Sequence, residues 1–182
     1  MRIVAGTARG TRLGPVPPGT RPVSDRAREG LFSSLGERVA GARVLDLFAG
    51  TGALGLEALS RGASHTTFVD RDRAATAAIR DNLERTGLSP AEVVTADADR
   101  FLAGLEELPG FDLVMLDPPY DLEGPRLDRT IEEVARRALA PEAWTVALTR
   151  ANRSSTHVIP VNWAVARRLR YGDSLVFLYR EV

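Results

Sequence analysis

Apolar and polar positions change rhythm along this chain, and the change divides it in two. Residues 1–23 keep no period. Gly6, Gly10, Gly14 and Gly19 alternate with Pro15, Pro17, Pro18 and Pro22, so only short extended pieces such as residues 2–5 can pair as a hairpin. Ala27, Leu31 and Leu35 then recur at four-residue spacing, one apolar stripe of a helix. Ser24 or Asp25 is its N-cap, and Gly36 or Gly41 stops it.

From residue 43 short apolar runs alternate with helical periods. Strands are predicted at 43–48, 66–70, 92–95, 112–116 and 144–149, and helices at 53–61, 72–86, 97–108 and 127–139. Gly62, Gly87, Pro109 with Gly110, and Pro141 close those helices. Two further strands, 165–170 and 174–180, flank Tyr171, Gly172 and Asp173 as a hairpin. Alternating strands and helices mean βαβ units and a parallel sheet. Ligands of such sheets bind in the crevice beyond the C-terminal strand ends.

The 182 residues make one domain of ordinary size, enough to hide roughly 70% of the unfolded surface. The absence of cysteine excludes a disulfide scaffold, a thiolate zinc site and a cysteine nucleophile. His65 and His157 have no partner at ligand spacing, so no metal is expected. No apolar run reaches the roughly 20 residues of a membrane helix, and the first residues lack the apolar stretch of a signal peptide. The expectation is a cytoplasmic protein that avoids membranes.

Charge adds more than its total suggests. Twenty-four acids balance 24 basic residues, all of them arginine. Residues 1–43 nevertheless carry a net +5, residues 44–149 a net −9 and residues 150–182 a net +4. An acidic middle between basic ends points to an anionic partner that meets part of the surface. Arg2, Arg9 and Arg12 at one end, and Arg167, Arg168 and Arg170 at the other, are the candidate phosphate contacts. Alternation puts Arg168 and Arg170 on one face of their strand and Arg167 on the other. The two basic ends are then expected on the same side of the molecule as the strand-end acids.

Each strand ends in an informative residue. The first runs into Asp46-Leu47-Phe48-Ala49-Gly50-Thr51-Gly52, with Gly55 completing G-x-G-x-x-G between a strand and a helix, and Asp70 closes the next strand. Glycines there let backbone approach a nucleotide-like ligand, and the acid accepts from ribose hydroxyls. Asp46 disfavours a pyrophosphate and suits an ammonium group, which favours S-adenosylmethionine over NAD; it serves equally as a loop former. Asp97 and the Ala98 N–H suit an adenine edge, or Asp97 simply caps the next helix. Its neighbour Asp99 is expected to face solvent.

The fourth strand runs into Asp117-Pro118-Pro119-Tyr120. Neither proline has an N–H and both fix φ. The loop is therefore stiff and presents two acceptors, the Asp117 carboxylate and the Pro118 carbonyl, to an exocyclic amine. Tyr120 offers a ring on which a base stacks.

The segments 44–63 (VLDLFAGTGALGLEALSRGA), 68–70 (FVD) and 117–120 (DPPY) resemble class I S-adenosylmethionine-dependent methyltransferases that act on amino groups of bases. Residues 1–13, 21–35 and 167–180 narrow the resemblance to the bacterial 16S rRNA guanine-N2 methyltransferases that modify guanine 966. This implies a Rossmann-like, mostly parallel seven-stranded sheet with an antiparallel C-terminal hairpin strand and helices on both faces. An extension, 1–42, would precede a catalytic unit, 43–182.

By the same resemblance Phe48, Ala49, Gly50, Thr51 and Gly52 line the cofactor with Asp46, Asp70, Arg71, Asp97 and Ala98. Arg21 and Ser24 close over its methionine end, and Ser24 stands where the family often has threonine. Asp117, Pro118 and Tyr120 hold the target base, which must be unpaired or flipped out. The implied partner is 16S rRNA, within an assembling or assembled 30S particle, met by a monomer. The DPPY residues alone leave adenine-N6, cytosine-N4 and protein-glutamine methylation open. A non-catalytic cofactor- and RNA-binding module and a small NAD enzyme are the rivals from other classes.

Overall fold

The computed structural model describes residues 1–16, 18, 23–106, 110–119, 121–122, 124–151 and 157–182. Arg21 and Tyr120, both candidate site residues, lie outside the described residues.

The strands are β1 (Arg43–Leu47), β2 (His65–Asp70), β3 (Ala91–Thr95), β4 (Leu113–Leu116), β5 (Thr145–Ala151), β6 (Trp163–Tyr171) and β7 (Ser174–Glu181). The helices are α1 (Asp25–Leu35), α2 (Ala53–Ser60), α3 (Arg73–Thr86), α4 (Ala98–Ala103) and α5 (Gly124–Arg137). One sheet runs β3-β2-β1-β4-β5-β7-β6. The first five of these pair in parallel, and β7 enters antiparallel between β5 and β6. Strand order therefore reverses between β1 and β4, the point where α/β sheets open a crevice. Among the described residues no helix is long and apolar enough to cross a membrane.

The central strands are buried on both faces. Val44, Met115, Ala147, Val176 and Leu178 pack with Leu31 and Phe32 of α1, Leu56 of α2 and Ile79 of α3. Leu45, Leu116, Leu148 and Tyr179 pack on the other side with Leu102 of α4 and Ile131 and Val134 of α5. This two-sided burial is why the central strands read as unbroken apolar runs.

α2 is buried at all eight positions, because residues 1–14 cover its outer side. Ile3 and Leu13 join its core cluster. Glu57, wholly buried in α2, accepts the backbone N–H groups of Val4 and Ala5 at 2.8 and 2.9 Å and Arg61 Nε at 2.8 Å. Arg28 of α1, also fully buried, reaches Glu57 at 3.6 Å and donates to the Arg2 carbonyl at 2.6 Å. The extension is thus continuous with the main core, fastened by a buried charge network.

Several boundaries differ from the sequence expectation. The extended N-terminal pieces reduce to one bridge, Arg2 to Arg12, since glycine and proline allow no longer ladder. α4 stops at Gly104 instead of continuing to 108. α5 begins at Gly124, three residues early, because a proline is tolerated in a first helical turn. Ser24 is the N-cap of α1, accepting Ala27 N–H at 3.2 Å.

Candidate functional site

A cavity of about 850 Å³ opens at the strand-order reversal. Its wall includes Asp46, Phe48–Thr51, Asp70, Arg71, Asp97, Asp117, Pro118, Pro119 and Arg126, with Val23 from the segment before α1. The size suits a nucleoside-sized ligand with a neighbouring base. Most of the sequence-predicted cofactor residues meet here. Gly52 and Ala98 stand behind the wall, and Ser24 spends its hydroxyl on the α1 cap.

The loop after β1 is built from left-handed backbone. Gly50 has φ 56° and Gly52 φ 76°, and Phe48 holds φ 60° without a glycine's freedom, a conformation that is costly for a bulky residue. Gly52 N–H donates to the Ala49 carbonyl at 2.7 Å. A side chain at Gly55 would place its Cβ 2.3 Å from Phe68 Cε1, so the third glycine lets α2 pack onto β2. Asn82 braces the loop from outside: its amide donates to the Thr51 carbonyl at 3.1 Å and accepts Gly14 N–H at 2.7 Å.

Two carboxylates hold this loop. Asp70 accepts Gly50 N–H and Asp72 N–H, each at 2.9 Å. It shapes the loop directly, with a second lone pair on each oxygen left for a ligand. Asp46 Oδ2 accepts Gly55 N–H at 2.9 Å, while its Oδ1 is buried without a partner. Burial raises the Asp46 pKa well above the carboxylate range; the Gly55 hydrogen bond opposes this, and the charges of Asp117 and Asp70 reinforce it.

Asp117 follows β4, its N–H 3.4 Å from the Leu47 carbonyl. Burial lifts its pKa from 3.8 to about 7, against a hydrogen-bonding contribution from the Thr149 side chain. Pro118 is buried and Pro119 exposed. One end of the cavity thus gathers carboxyl groups that lack a protein cation and resist ionisation, so a bound cation favours their charged form. The unpartnered Asp46 oxygen is an acceptor aimed at a donor. This fits the ammonium and sulfonium of S-adenosylmethionine and opposes a pyrophosphate.

Asp97 caps α4 by accepting Asp99 N–H at 3.1 Å and also pairs with Arg126. Partial burial raises its pKa, but the Arg126 hydrogen bond and charge and the backbone N–H groups of Asp99 and Arg100 outweigh it, so the net shift is downward. Asp99 corrects the sequence expectation: it does not simply face solvent, but pairs with Arg126 at 3.3 Å and accepts the Thr130 hydroxyl at 2.6 Å. Arg126 was missed because the expected helix began just after it, at 127. Thr149 was missed because only the fold brings β5 beside Asp117.

The basic residues divide. Arg168 pairs across the ladder with Phe177 and Arg170 with Leu175, on the α5 side of the sheet; Arg167 pairs with Leu178 on the α1 side. Through Thr149↔Val176 and Leu169↔Val176, this end of β6 lies level with the β5 residue beside Asp117. Arg2 lies beside Asp25 at the start of α1, at 3.8 Å. Arg9 departs from the expected arrangement. It sits in the turn that bonds to Ser60 at the far end of α2, away from the cavity, because the extension runs the length of that helix.

The family described as conserved hypothetical protein 95 matches residues 1–180. Ribosomal RNA small subunit methyltransferase D of Escherichia coli (strain K12) is 35% identical over 183 residues, covering 100% of this chain and 90% of that protein. YlbH of Bacillus subtilis (strain 168) is 44% identical over 123 residues, 66% of this chain and 67% of YlbH. The solved structure of yhhF from Escherichia coli superposes with a TM-score of 0.87 at 35% identity, covering 100% of this chain and 97% of that one. With sequence and fold matched over the whole chain, it belongs to this family of ribosomal RNA small subunit methyltransferases, class I enzymes that use S-adenosylmethionine.

Proposed function

We propose that the protein methylates the N2 amine of a guanine in 16S ribosomal RNA, the position numbered 966 in the family it resembles, in the cytoplasm and within a 30S particle. The observation that carries this is the meeting, in one cavity, of a cation-seeking carboxylate cluster and the stiff Asp117-Pro118-Pro119 loop. The names of the relatives support ribosomal RNA as substrate.

S-adenosylmethionine supplies a methyl group made electrophilic by its sulfonium. Asp46 Oδ1 receives the ammonium of its methionine part, while Phe48, Ala49, Gly50 and Thr51 shape the wall beside it. Asp70 holds the ribose, with Arg71 at the rim. Asp97 faces the adenine with the Ala98 N–H behind it, and Arg126 keeps Asp97 charged and oriented. Arg21 and Ser24 close over the methionine end.

Asp117 and the Pro118 carbonyl accept the two N–H bonds of the target amine and turn its lone pair toward the methyl group. Tyr120 stacks on the flipped base. Holding both reactants in line provides most of the acceleration. The carboxylate stabilises the positive charge that develops on nitrogen. After transfer the nitrogen is strongly acidic, and Asp117, with a pKa of about 7, takes its proton at neutral pH. Arg2, Arg12, Arg167, Arg168 and Arg170 contact phosphates as the protein works as a monomer; Arg9, far from the cavity, reaches only a more distant part of the RNA.

The test is a tritiated-methyl assay with naked 16S rRNA, unmodified 30S particles and DNA, followed by nucleoside analysis. N2-methylguanosine from the RNA or the particle is the expected product. N6-methyladenosine, N4-methylcytidine or labelled DNA would overturn the assignment.

A further inference from the structure

Two arginines among the described residues are almost wholly buried, Arg28 and Arg150. Arg28 is accounted for by Asp25 and Glu57. Arg150, 4% exposed at the C-terminal end of β5, is not. Its Nε and Nη1 have no hydrogen-bond partner, and it forms no ion pair among the described residues. Asp128 of α5 acts on it only at longer range, and accepts Val158 N–H at 2.9 Å instead. His157 on its other side is bonded to the Tyr179 hydroxyl at 2.7 Å, and its pKa is lowered by burial and by Arg150 itself. Buried donors without acceptors are rare in folded proteins, and a buried cation calls for an anion.

The sheet register supplies the surroundings. Arg150 pairs with Leu175, and Leu175 pairs with Arg170. Leu148, Phe177 and Arg168 form the adjoining row. Cross-strand partners share a face, so Arg150, Arg168 and Arg170 stand on the same side, with Arg150 and Arg170 two strands or about 10 Å apart. Arg168 and Arg170 are exposed, and Arg168 lies over the Phe177 ring at 5.4 Å. The buried guanidinium thus lies beneath a face of the sheet that carries two exposed arginines. Thr149, the preceding residue of β5, turns to the opposite, α1 face of the sheet, where its side chain meets Asp117.

We propose that Arg150, with Arg168 and Arg170, forms a binding site for a backbone phosphate of the RNA next to the methylated nucleotide. The inference rests on the ribosomal RNA reading above and adds to it a specific contact. A phosphodiester completes the unpaired N–H groups of Arg150 with charge-assisted bonds. The contact anchors the strand beside the Asp117 loop, while the base itself is held elsewhere.

The experiment compares the unchanged protein with Arg150→Met for binding of an unmodified 16S rRNA transcript across a salt series. Loss of one phosphate contact is expected to weaken binding about tenfold and to make the salt slope shallower by roughly 0.7–1. S-adenosylmethionine affinity and the melting temperature are read in parallel and identify a variant that fails to fold. For that case, the Arg150 Nε–H resonance of the unchanged protein is followed by NMR on adding the transcript or inorganic phosphate. It is expected to shift with RNA. An unchanged salt slope in a folded variant, a resonance that RNA leaves in place, or one that moves with inorganic phosphate alone would overturn the proposal. Methyl transfer by the unchanged protein is scored separately, so failure of the ribosomal RNA reading is distinguished from failure of the Arg150 contact.

Discussion

Replacing Asp117 with asparagine removes a carboxylate that the fold holds under protest. In the folded chain its pKa is about 7, against 3.8 for a free aspartate, chiefly because burial penalises the charge. Below the lower value both states are protonated and the group is neutral to stability. Between the two values the folded protein keeps a proton that the unfolded chain has lost, so stability falls by about 1.4 kcal/mol per pH unit. Above the upper value the penalty is complete, on the order of 4 kcal/mol as an upper bound. Asp46 feels the Asp117 charge as well, which adds to the relief on substitution. Asp117→Asn is therefore expected to equal the natural protein in stability near pH 4 and to exceed it near pH 8, while losing turnover on the order of a hundredfold or more. Urea unfolding of both proteins across that range gives the difference directly. A stability difference that does not change with pH would refute the desolvated-carboxylate reading, whatever happens to activity.

Glu57→Ala deprives the Val4 and Ala5 N–H groups, Arg28 and Arg61 of one shared acceptor. It should cost about 3–5 kcal/mol in chemical denaturation, and a cost under about 1 kcal/mol would show that the network carries no stability. Gly55→Ala drives a methyl into Phe68; about 1–3 kcal/mol of destabilisation is expected, together with weaker cofactor binding in calorimetry as α2 shifts the loop. Asp70→Ala leaves Gly50 and Asp72 N–H without their acceptor, so cofactor affinity should fall while the melting temperature moves little. Unaltered affinity would remove Asp70 from the site.

The alternation of strands and helices was legible because strands buried on both faces read as apolar runs, and glycines mark helix ends. Gly50, Gly52, Gly55 and Asp70 were legible because their spacing is set by local geometry. Asp117 and Pro118 were legible through the chemistry of a donor-free loop. What the sequence hid is what distant segments do to each other. Arg28 sits on the apolar stripe of α1 but reads as solvated until Glu57 is found beneath it. Asn82 reads as an ordinary helix residue until Gly14 and Thr51 meet it from two sides. Arg126 and Thr149 come to the cavity from segments that carry no motif. Arg9 was grouped with Arg2 and Arg12 by proximity in sequence, which the turn at residues 6–10 undoes.

Gly30 of α1 lies so close to the Tyr171 hydroxyl that a Cβ would meet it at 1.7 Å. That contact joins the first helix to the last hairpin. α1 therefore has no finished seat on the sheet until β6 and β7 have been synthesised and paired. Val23, which helps wall the cavity, precedes α1 directly. The glycine loop and the Asp117 loop belong to the parallel part of the sheet, yet the N-terminal wall depends on β6 and β7. A chain in which that hairpin is unpaired thus leaves its cofactor pocket open on one side, and docking of the hairpin closes it.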